Sequence, residues 1–149
     1  MTAGQDGAER MWAADVASRD LGMELGELRP GYARLTMRVL DRMLNGHGIA
    51  HGGFVFALAD SAFACACNSY GVPTVATHCD ISFLTAVRSG DELVATAVER
   101  VRYGRSGIYD VTVRRGQDGE VVAEFRGHSR ALPTPTPAVE PVSARLSNE

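Results

Sequence analysis

The sequence contains no lysine, so all 15 of its basic residues are arginine. They are offset by 18 acidic residues, which leaves a formal net charge of −3. This balance does not predict a surface that binds nucleic acid or another polyanion. Arginine does suit a phosphate ligand, because its guanidinium group can donate two parallel hydrogen bonds.

Cysteine is also scarce, with three residues in apolar surroundings, Cys65, Cys67 and Cys79. Their odd number does not fit a disulfide framework, so we expect buried, reduced thiols. Cys65 and Cys67 are two residues apart in a predicted helix, where such neighbours point in different directions. We therefore expect no metal site at these cysteines.

Long apolar runs are missing as well, since none approaches the roughly 20 residues that a membrane helix needs. The first ten residues lack the basic start and apolar core of a secretory signal. We therefore expect a cytoplasmic protein without a membrane segment. Its 149 residues suit one domain. We predict that domain over residues 8–132, between a disordered N-terminus (1–7) and a flexible, proline-rich tail (133–149).

One stretch, Leu44 to Gly71, organises the rest of the chain. From Gly53 to Asn68 it contains no proline and no charged residue except Asp60. The apolar residues cover all sides of the predicted helix, which is typical of a helix buried on every side. Two glycines at its entrance, Gly52 and Gly53, would expose backbone N–H groups at the positive end of the helix dipole, where an oxyanion is stabilised.

Asp60 lies seven to eight residues beyond this entrance, which corresponds to roughly 11–12 Å along the helix axis. One carbonyl carbon cannot contact both the entrance amides and the carboxylate of the same helix. If the chemistry uses both, an antiparallel helix from a second copy must bring its own Asp60 alongside Gly52. The sequence therefore predicts an obligate homodimer with two equivalent sites.

The remaining segments indicate strands rich in β-branched and aromatic residues, separated by glycine-containing turns. A short amphipathic helix is predicted over Ala8 to Asp20. The predicted strands are Met23 to Glu27, Tyr32 to Val39, Thr74 to Phe83, Glu92 to Tyr103, Ile108 to Arg115 and Val121 to Arg130. One long helix with a meander of strands predicts an α+β fold, in which the sheet wraps around the helix.

Several separated motifs agree in order and spacing with one enzyme family. The pattern N-G-H-x-x-x-H-G-G begins at Asn45 and is followed by Asp60, a small hydroxyl residue and then C-N-S-x-G. Further motifs follow at Asp80 to Leu84, Ser89 to Asp91, Gly107 to Asp110 and Phe125 to Gly127. From Met11 to Arg130 the chain resembles the hotdog-fold thioesterases of the PaaI group, the phenylacetyl-CoA thioesterase type. That resemblance implies an antiparallel sheet wrapped around one long central helix, and a homotetramer built as a dimer of dimers.

The resemblance also implies catalytic roles. Asp60 would act as general base or as nucleophile, and the Gly52 amide would hold the oxyanion. Asn45 would help to hold the thioester carbonyl or the water, His51 would orient the loop or the carbonyl, and Ser61 would hold the carboxylate or the water. No G-x-S-x-G elbow is present, so no serine triad is expected. His47 and His51 lack the H-E-x-x-H acid, so no metal is expected either.

A coenzyme A thioester needs an apolar acyl slot and basic groups for its phosphates. Coenzyme A is part of the substrate, and no separate cofactor is expected. The candidate substrate-binding residues are Gly53, Phe54, Phe63, Arg88, Arg105, Ser106, Gly107 and Arg126.

The sequence thus predicts hydrolysis of an aryl-acyl-CoA thioester, such as phenylacetyl-CoA or a ring-hydroxylated derivative. Two alternatives stay open, an enoyl-thioester hydratase or dehydratase and a non-catalytic acyl-CoA-binding module. No DNA-binding segment is apparent, which weighs against a regulatory module. The preferred acyl group is left open.

Overall fold

A computed structural model describes residues 2–133, so the predicted tail lies outside the described residues except for Pro133. Its helices are α1 (Ala3–Ala14), α2 (Val16–Asp20) and α3 (Gly52–Cys67), with one 3-10 turn at Asp41–Met43. Its strands are β1 (Glu24–Arg29), β2 (Tyr32–Arg38), β3 (Thr74–Phe83), β4 (Glu92–Tyr103), β5 (Ser106–Arg115) and β6 (Val121–Ala131).

The six strands form one sheet in the order β1-β2-β4-β5-β6-β3, and every neighbouring pair is antiparallel. The sheet curves around α3, which contacts all six strands. This arrangement confirms the predicted α+β fold with an antiparallel sheet wrapped around one long helix. Among the described helices, none is long and apolar enough to cross a membrane.

The core lies between α3 and the inward face of the sheet. Burial alternates along β2 and β5 because successive strand residues point to opposite faces. Phe63 of α3 is 1% exposed and packs against the rings of Tyr109 and Phe125 at 5.6 and 5.8 Å. A Cβ atom at Gly127 would lie 2.8 Å from the Phe63 ring, so the helix approaches β6 closely only because that residue is glycine.

The N-terminus differs from the prediction, because residues 3–7 are helical and not disordered. Thr2 accepts a hydrogen bond from the Gln5 backbone, and the Gln5 side chain accepts one from the Thr2 backbone, which forms a capping box. The Gln5 side chain also donates to the carbonyl of Leu28 at 2.9 Å. Gly4 lies against the backbone of Ser69 and Tyr70, where a Cβ atom would clash at 2.5 Å. These contacts fix the helix on the domain.

The prediction that α3 is buried on every side is wrong for a single chain. One side of the helix, formed by Ala57, Asp60, Ser61 and Ala64, is only partly buried. It faces α2 across a cavity and is otherwise left open by the sheet. The acid that interrupts the apolar pattern therefore lies on the accessible side of the helix.

The strand β3 forms one edge of the sheet, since β6 is its only neighbour in the described chain. Val75 and Phe83 on this strand are 48% and 55% exposed, and Leu84 after it is 57% exposed. Such an edge presents apolar side chains together with backbone groups that another strand could pair with.

Candidate active site

The N-terminus of α3 is capped by a side chain. His51 precedes the helix, and its Nδ1 accepts a hydrogen bond from the Gly53 N–H at 3.0 Å. Its carbonyl oxygen accepts from the Phe54 N–H at 3.0 Å. Within residues 2–133 the Gly52 N–H has no acceptor, so it is the free amide at the positive end of the helix.

This amide borders an open cavity of about 410 Å³. The walls are mostly aliphatic or aromatic, and the polar contributions come from one asparagine, one threonine and backbone. The lining residues are Asn45, Ile49, Ala50, Gly52, Val55, Phe83, Leu84, Thr85, Ala86, Val87 and Val122. An apolar cavity with few polar groups is typical of a small-molecule site.

Asn45 is held by its own loop in a way that leaves its amide nitrogen available. Its Oδ1 accepts from the backbone N–H groups of His47 at 2.9 Å and Ile49 at 3.4 Å. Its backbone N–H donates to the Ile49 carbonyl at 2.8 Å. The Nδ2 group has no acceptor in the described part of the chain. Asn45 and Gly52 thus border one cavity, each with a hydrogen-bond donor that is not otherwise used.

Asp60 lies in the middle of α3 and has no hydrogen-bond partner among residues 2–133. Burial raises the pKa of its carboxyl group, because the charged form loses water, and the nearby negative charge of Asp15 raises it further. A carboxylate of raised pKa is a stronger base once it is ionised, which suits proton abstraction from water.

Asp60 borders a second cavity of about 260 Å³, between α3 and the segment that contains α2. Its lining residues are Asp15, Ala17, Ser18, Leu21, Met23, Ala57, Asp60, Ser61 and Ala64. Gly52 is not among them, and the eight residue steps along the helix from Gly52 to Asp60 span about 12 Å. A single chain therefore does not bring the free amide and the carboxylate together.

Ser61 lies on the Asp60 cavity but is bound to a different partner. Its Oγ lies 2.8 Å from Oγ of Ser18, which is 5% exposed. In the described residues no hydrogen bond joins Ser61 to Asp60, so the predicted contact of Ser61 with the carboxylate is not formed within the chain. A contact with substrate water stays a prediction.

Three residues of α3 were predicted to bind the substrate, and the structure places them in different surroundings. Phe63 is part of the core, so its predicted place in the acyl slot is wrong. Phe54 is partly buried, and its ring meets the His51 ring edge-on at 6.2 Å. Gly53 is exposed, but its N–H is already bound to His51.

The predicted phosphate contacts are spread over the surface. Arg126 makes two hydrogen bonds with Asp110 at 2.7 and 2.9 Å, so its guanidinium group is already paired. Arg88 is exposed and follows Val87, which lines the Gly52 cavity.

Arg105 and Ser106 line a third cavity of about 290 Å³, near the C-terminal end of α3. Gly107 beside them is buried, and a Cβ atom there would lie 2.9 Å from Oγ of Ser129 and 3.0 Å from the Tyr109 ring. The packing of β5 explains this glycine without a ligand.

Sequence reasoning missed Phe83 and Leu84 as cavity residues. Both line the cavity beside Gly52 and are more than half exposed. The Phe83 ring is so close that a Cβ atom at position 52 would lie 2.9 Å from it. The sequence did show that two apolar residues end a predicted strand inside one of the family motifs. That position does not reveal what the two side chains contact.

Metal-binding geometry is absent from residues 2–133, where no group of three or more His, Cys, Asp or Glu side chains could hold an ion. All three cysteines are free, and burial raises the pKa of Cys65 and of Cys67 to about 12. Neither thiol is therefore a nucleophile at neutral pH.

Comparisons with known proteins identify the family. Residues 47–122 match the Thioesterase superfamily model. The acyl-coenzyme A thioesterase PaaI of Escherichia coli K12 is 42% identical over 125 residues, which cover 84% of this chain and 89% of that protein. The structure of E. coli PaaI superposes with a TM-score of 0.84 at 41% identity and covers 87% of this chain and 94% of that one.

Two further solved structures extend the similarity. The phenylacetic acid degradation protein PaaI of Thermus thermophilus has a TM-score of 0.76 at 39% identity, covering 79% of this chain and 100% of that one. A Streptococcus mutans protein with bound acetyl-CoA has a TM-score of 0.71 at 26% identity, covering 74% and 88%. With the fold and the family motifs described above, these findings show that the chain belongs to the thioesterase superfamily and is a hotdog-fold acyl-CoA thioesterase of the PaaI group.

Proposed function

We propose that this acyl-CoA thioesterase hydrolyses aryl-acyl thioesters, such as phenylacetyl-CoA or its ring-hydroxylated derivatives, to the free acid and coenzyme A. The observation that carries the proposal is the pair of unused donors, the Gly52 N–H and the Asn45 amide, on one apolar cavity. The names of the E. coli and Thermus relatives support both the thioester and the phenylacetic acid context.

The two donors are proposed to bind the thioester carbonyl oxygen. When water attacks the carbonyl carbon, negative charge develops on that oxygen, and donors already in place stabilise it without reorganising. Collapse of the tetrahedral intermediate breaks the C–S bond and releases the coenzyme A thiolate. Asp60 accepts the proton of the attacking water. Alternatively, the Asp60 carboxylate attacks the carbonyl directly and water hydrolyses the resulting anhydride.

A homodimer is proposed to complete each site, with Asp60 supplied by the partner. Two features support it. The cavities of Gly52 and Asp60 are separate, and the β3 edge, which has no second neighbour in residues 2–133, carries exposed apolar side chains. Pairing of two β3 edges would bury those side chains and set two α3 helices side by side. A tetramer of two such dimers and a cytoplasmic location are expected from the family resemblance and the sequence, respectively.

The phosphates of coenzyme A are proposed to lie against arginines outside the acyl cavity. Arg88 stands next to that cavity, and Arg105 with Ser106 lines the third cavity. Arg126 is the weakest of the predicted contacts, because it would have to give up its pair with Asp110. The acetyl-CoA bound to the S. mutans relative supports a coenzyme A thioester as the ligand class.

A panel of thioesters tests the proposal. Phenylacetyl-, hydroxyphenylacetyl-, naphthoyl-, crotonyl- and medium-chain aliphatic CoA esters would be compared by release of free thiol. We expect kcat/KM for the phenylacetyl esters to exceed that for the aliphatic esters by about ten-fold or more. An aliphatic preference would contradict the proposed substrate. Loss of enoyl absorbance without thiol release would instead support a hydratase.

Isotope labelling tests whether Asp60 is the nucleophile. A single turnover in ¹⁸O water, with enzyme in excess, places the label in the product acid if water attacks the thioester directly or attacks the acyl side of an anhydride. If Asp60 is the nucleophile and water then attacks the carboxylate side of the anhydride, the first product lacks the label and the enzyme carries it.

A further inference from the structure

Three oxygen-bearing side chains form a continuous hydrogen-bonded chain beside Asp60. Asp15, between α1 and α2, accepts from the Ser18 backbone N–H through Oδ1 at 2.9 Å. Its Oδ2 accepts from Oγ of Ser18 at 2.6 Å. Oγ of Ser18 in turn lies 2.8 Å from Oγ of Ser61 on α3, 43 residues later. All three residues line the Asp60 cavity.

The direction of the hydrogens in this chain follows from the charge at its end. An ionised carboxylate can only accept, so the hydroxyl hydrogen of Ser18 points to Asp15. Ser18 has then only lone pairs left, so Ser61 must donate its own hydrogen to Ser18. The Ser61 oxygen therefore offers an acceptor to any further group in the cavity, and it cannot donate to the Asp60 carboxylate.

Among the titratable groups around Asp60, Asp15 carries the dominant charge. Along α3 the titratable neighbour of Asp60 is the thiol of Cys67, and from β3 it is the thiol of Cys79; the thiol of Cys65 lies near Asp15. Burial raises the pKa of all three thiols, so they are neutral at neutral pH. The other residues that line the cavity are apolar or serine. Asp15 is thus the one fixed charge on the Asp60 cavity in the described chain.

We propose that Asp15 is a positioning residue for hydrolysis, which acts through Ser18 to hold Ser61 as a hydrogen-bond acceptor for the attacking water. This inference rests on the proposed function, in which Asp60 takes a proton from that water. One O–H of the water points to Asp60 and loses its proton there, while the other O–H donates to Ser61. A lone pair of the water oxygen forms the new bond to the thioester carbon.

Asp15 has two effects on the site, and both favour proton transfer from the water to Asp60. Its hydrogen bonds set the acceptor that orients the water, and its negative charge opposes ionisation of Asp60, which makes that carboxylate a stronger base. Cutting the chain at Ser18 would remove the first effect and keep the second. Neutralising Asp15 would remove both.

The test compares Asp15→Asn with Ser18→Ala in the full-length enzyme. In Asp15→Asn the amide oxygen can still cap the Ser18 N–H, but the NH2 group donates to Oγ of Ser18. The chain then reverses and Ser61 donates into the cavity. We expect kcat to fall about five-fold or more, which corresponds to about one hydrogen bond, with KM within two-fold. The acidic limb of kcat/KM should move to lower pH, because the pKa of Asp60 falls when its negative neighbour is removed.

Ser18→Ala should lower kcat by a similar factor without moving the acidic limb, since Asp15 keeps its charge. The matched control is Asp20→Asn, which removes one charge from the exposed end of α2 and should match the wild type in both respects. A wild-type kcat and pH profile in Asp15→Asn, with Asp60→Asn inactive, would overturn the inference alone. If Asp15→Asn does not fold, a wild-type kcat in Ser18→Ala overturns it. Full activity of Asp60→Asn would instead overturn the proposed function.

Discussion

Nδ1 of His51 accepts the N–H of Gly53 at 3.0 Å, and this bond decides which amide at the start of α3 is left for a ligand. As the acceptor of this bond, Nδ1 carries no hydrogen, which leaves Nε2 as the ring nitrogen that can donate. With Gly53 bound to the side chain and Phe54 to the backbone of His51, Gly52 retains the free N–H on the cavity. In the proposed mechanism, the histidine of the H-G-G motif therefore acts on the oxyanion site through helix capping.

Replacing this cap should separate capping from other roles of the imidazole. We expect His51→Ala to lower the free energy of unfolding by about 0.5–2 kcal/mol and kcat/KM by about ten-fold or more, because the entrance to α3 loosens. Asparagine is a good N-cap residue, so His51→Asn should retain most of the stability and activity. Thermal unfolding and thiol release measure both. Equal loss of activity in the two variants would show that the imidazole itself is needed.

The contact between Gly52 and Phe83 makes a second prediction. A side chain at position 52 meets the Phe83 ring at 2.9 Å, so Gly52→Ala must displace the ring or the helix start. We expect kcat/KM to fall about ten- to a hundred-fold, since the proposed oxyanion donor, the Gly52 N–H, moves. Gly46→Ala, in the loop that precedes α3, is the matched control, because a Cβ atom there has no neighbour within 4 Å.

A double variant tests whether the Phe83 ring is what excludes a side chain at position 52. If the Phe83 ring is what the new methyl group displaces, Phe83→Ala should restore part of the stability lost in Gly52→Ala. The coupling between the two sites, measured by thermal unfolding in a double-mutant cycle, should be clearly different from zero. Additive losses would mean that position 52 excludes a side chain for another reason.

The regular elements of this fold could be predicted from sequence because their signals are local. The bounds of β3 and β4 agree with prediction, since β-branched residues lie between turn residues at both ends. The Thr2 and Gln5 capping box was missed because glycine and small polar residues around it suggest disorder.

The side chains around the site could not be assigned in the same way. Phe63 was predicted to contact the acyl group and Phe83 was assigned to no site, because the direction in which each ring faces depends on strands distant in sequence. Tyr109 and Phe125 surround Phe63, whereas Gly52 lies under Phe83. The family motifs predicted site roles for Asn45, Gly52 and Asp60, yet they could not reveal which hydrogen-bonding groups were already occupied.

The raised pKa of Asp60 predicts a pH-dependent stability cost. In the folded protein the carboxyl keeps its proton at pH values where the unfolded chain has lost it, so stability falls as pH rises from the ordinary carboxyl pKa to the raised one. Above that window the cost is constant. Asp60→Asn should therefore raise the melting temperature at pH 7 and leave it nearly unchanged well below about pH 4. Its kcat should fall about a hundred-fold or more.

A control variant distinguishes the loss of the buried Asp60 charge from the loss of any one negative charge. Asp20→Asn removes one negative charge at an exposed position and should not reproduce the gain at pH 7. If Asp60→Asn is less stable than the wild type at pH 7, the carboxylate makes a stabilising contact that outweighs its burial. Such a contact would have to come from outside residues 2–133, where Asp60 has no hydrogen-bond partner.

Subunit complementation tests whether the two halves of the site come from different chains. Asn45→Ala and Asp60→Asn should each be nearly inactive. In a mixed dimer one site combines the intact Asn45 of one chain with the intact Asp60 of the other, while the second site carries both changes. Random reassembly gives about half mixed dimers, each with one good site, so activity should recover to about a quarter of the wild type. Sites made within single chains predict no recovery, because every chain in the mixture carries a defect.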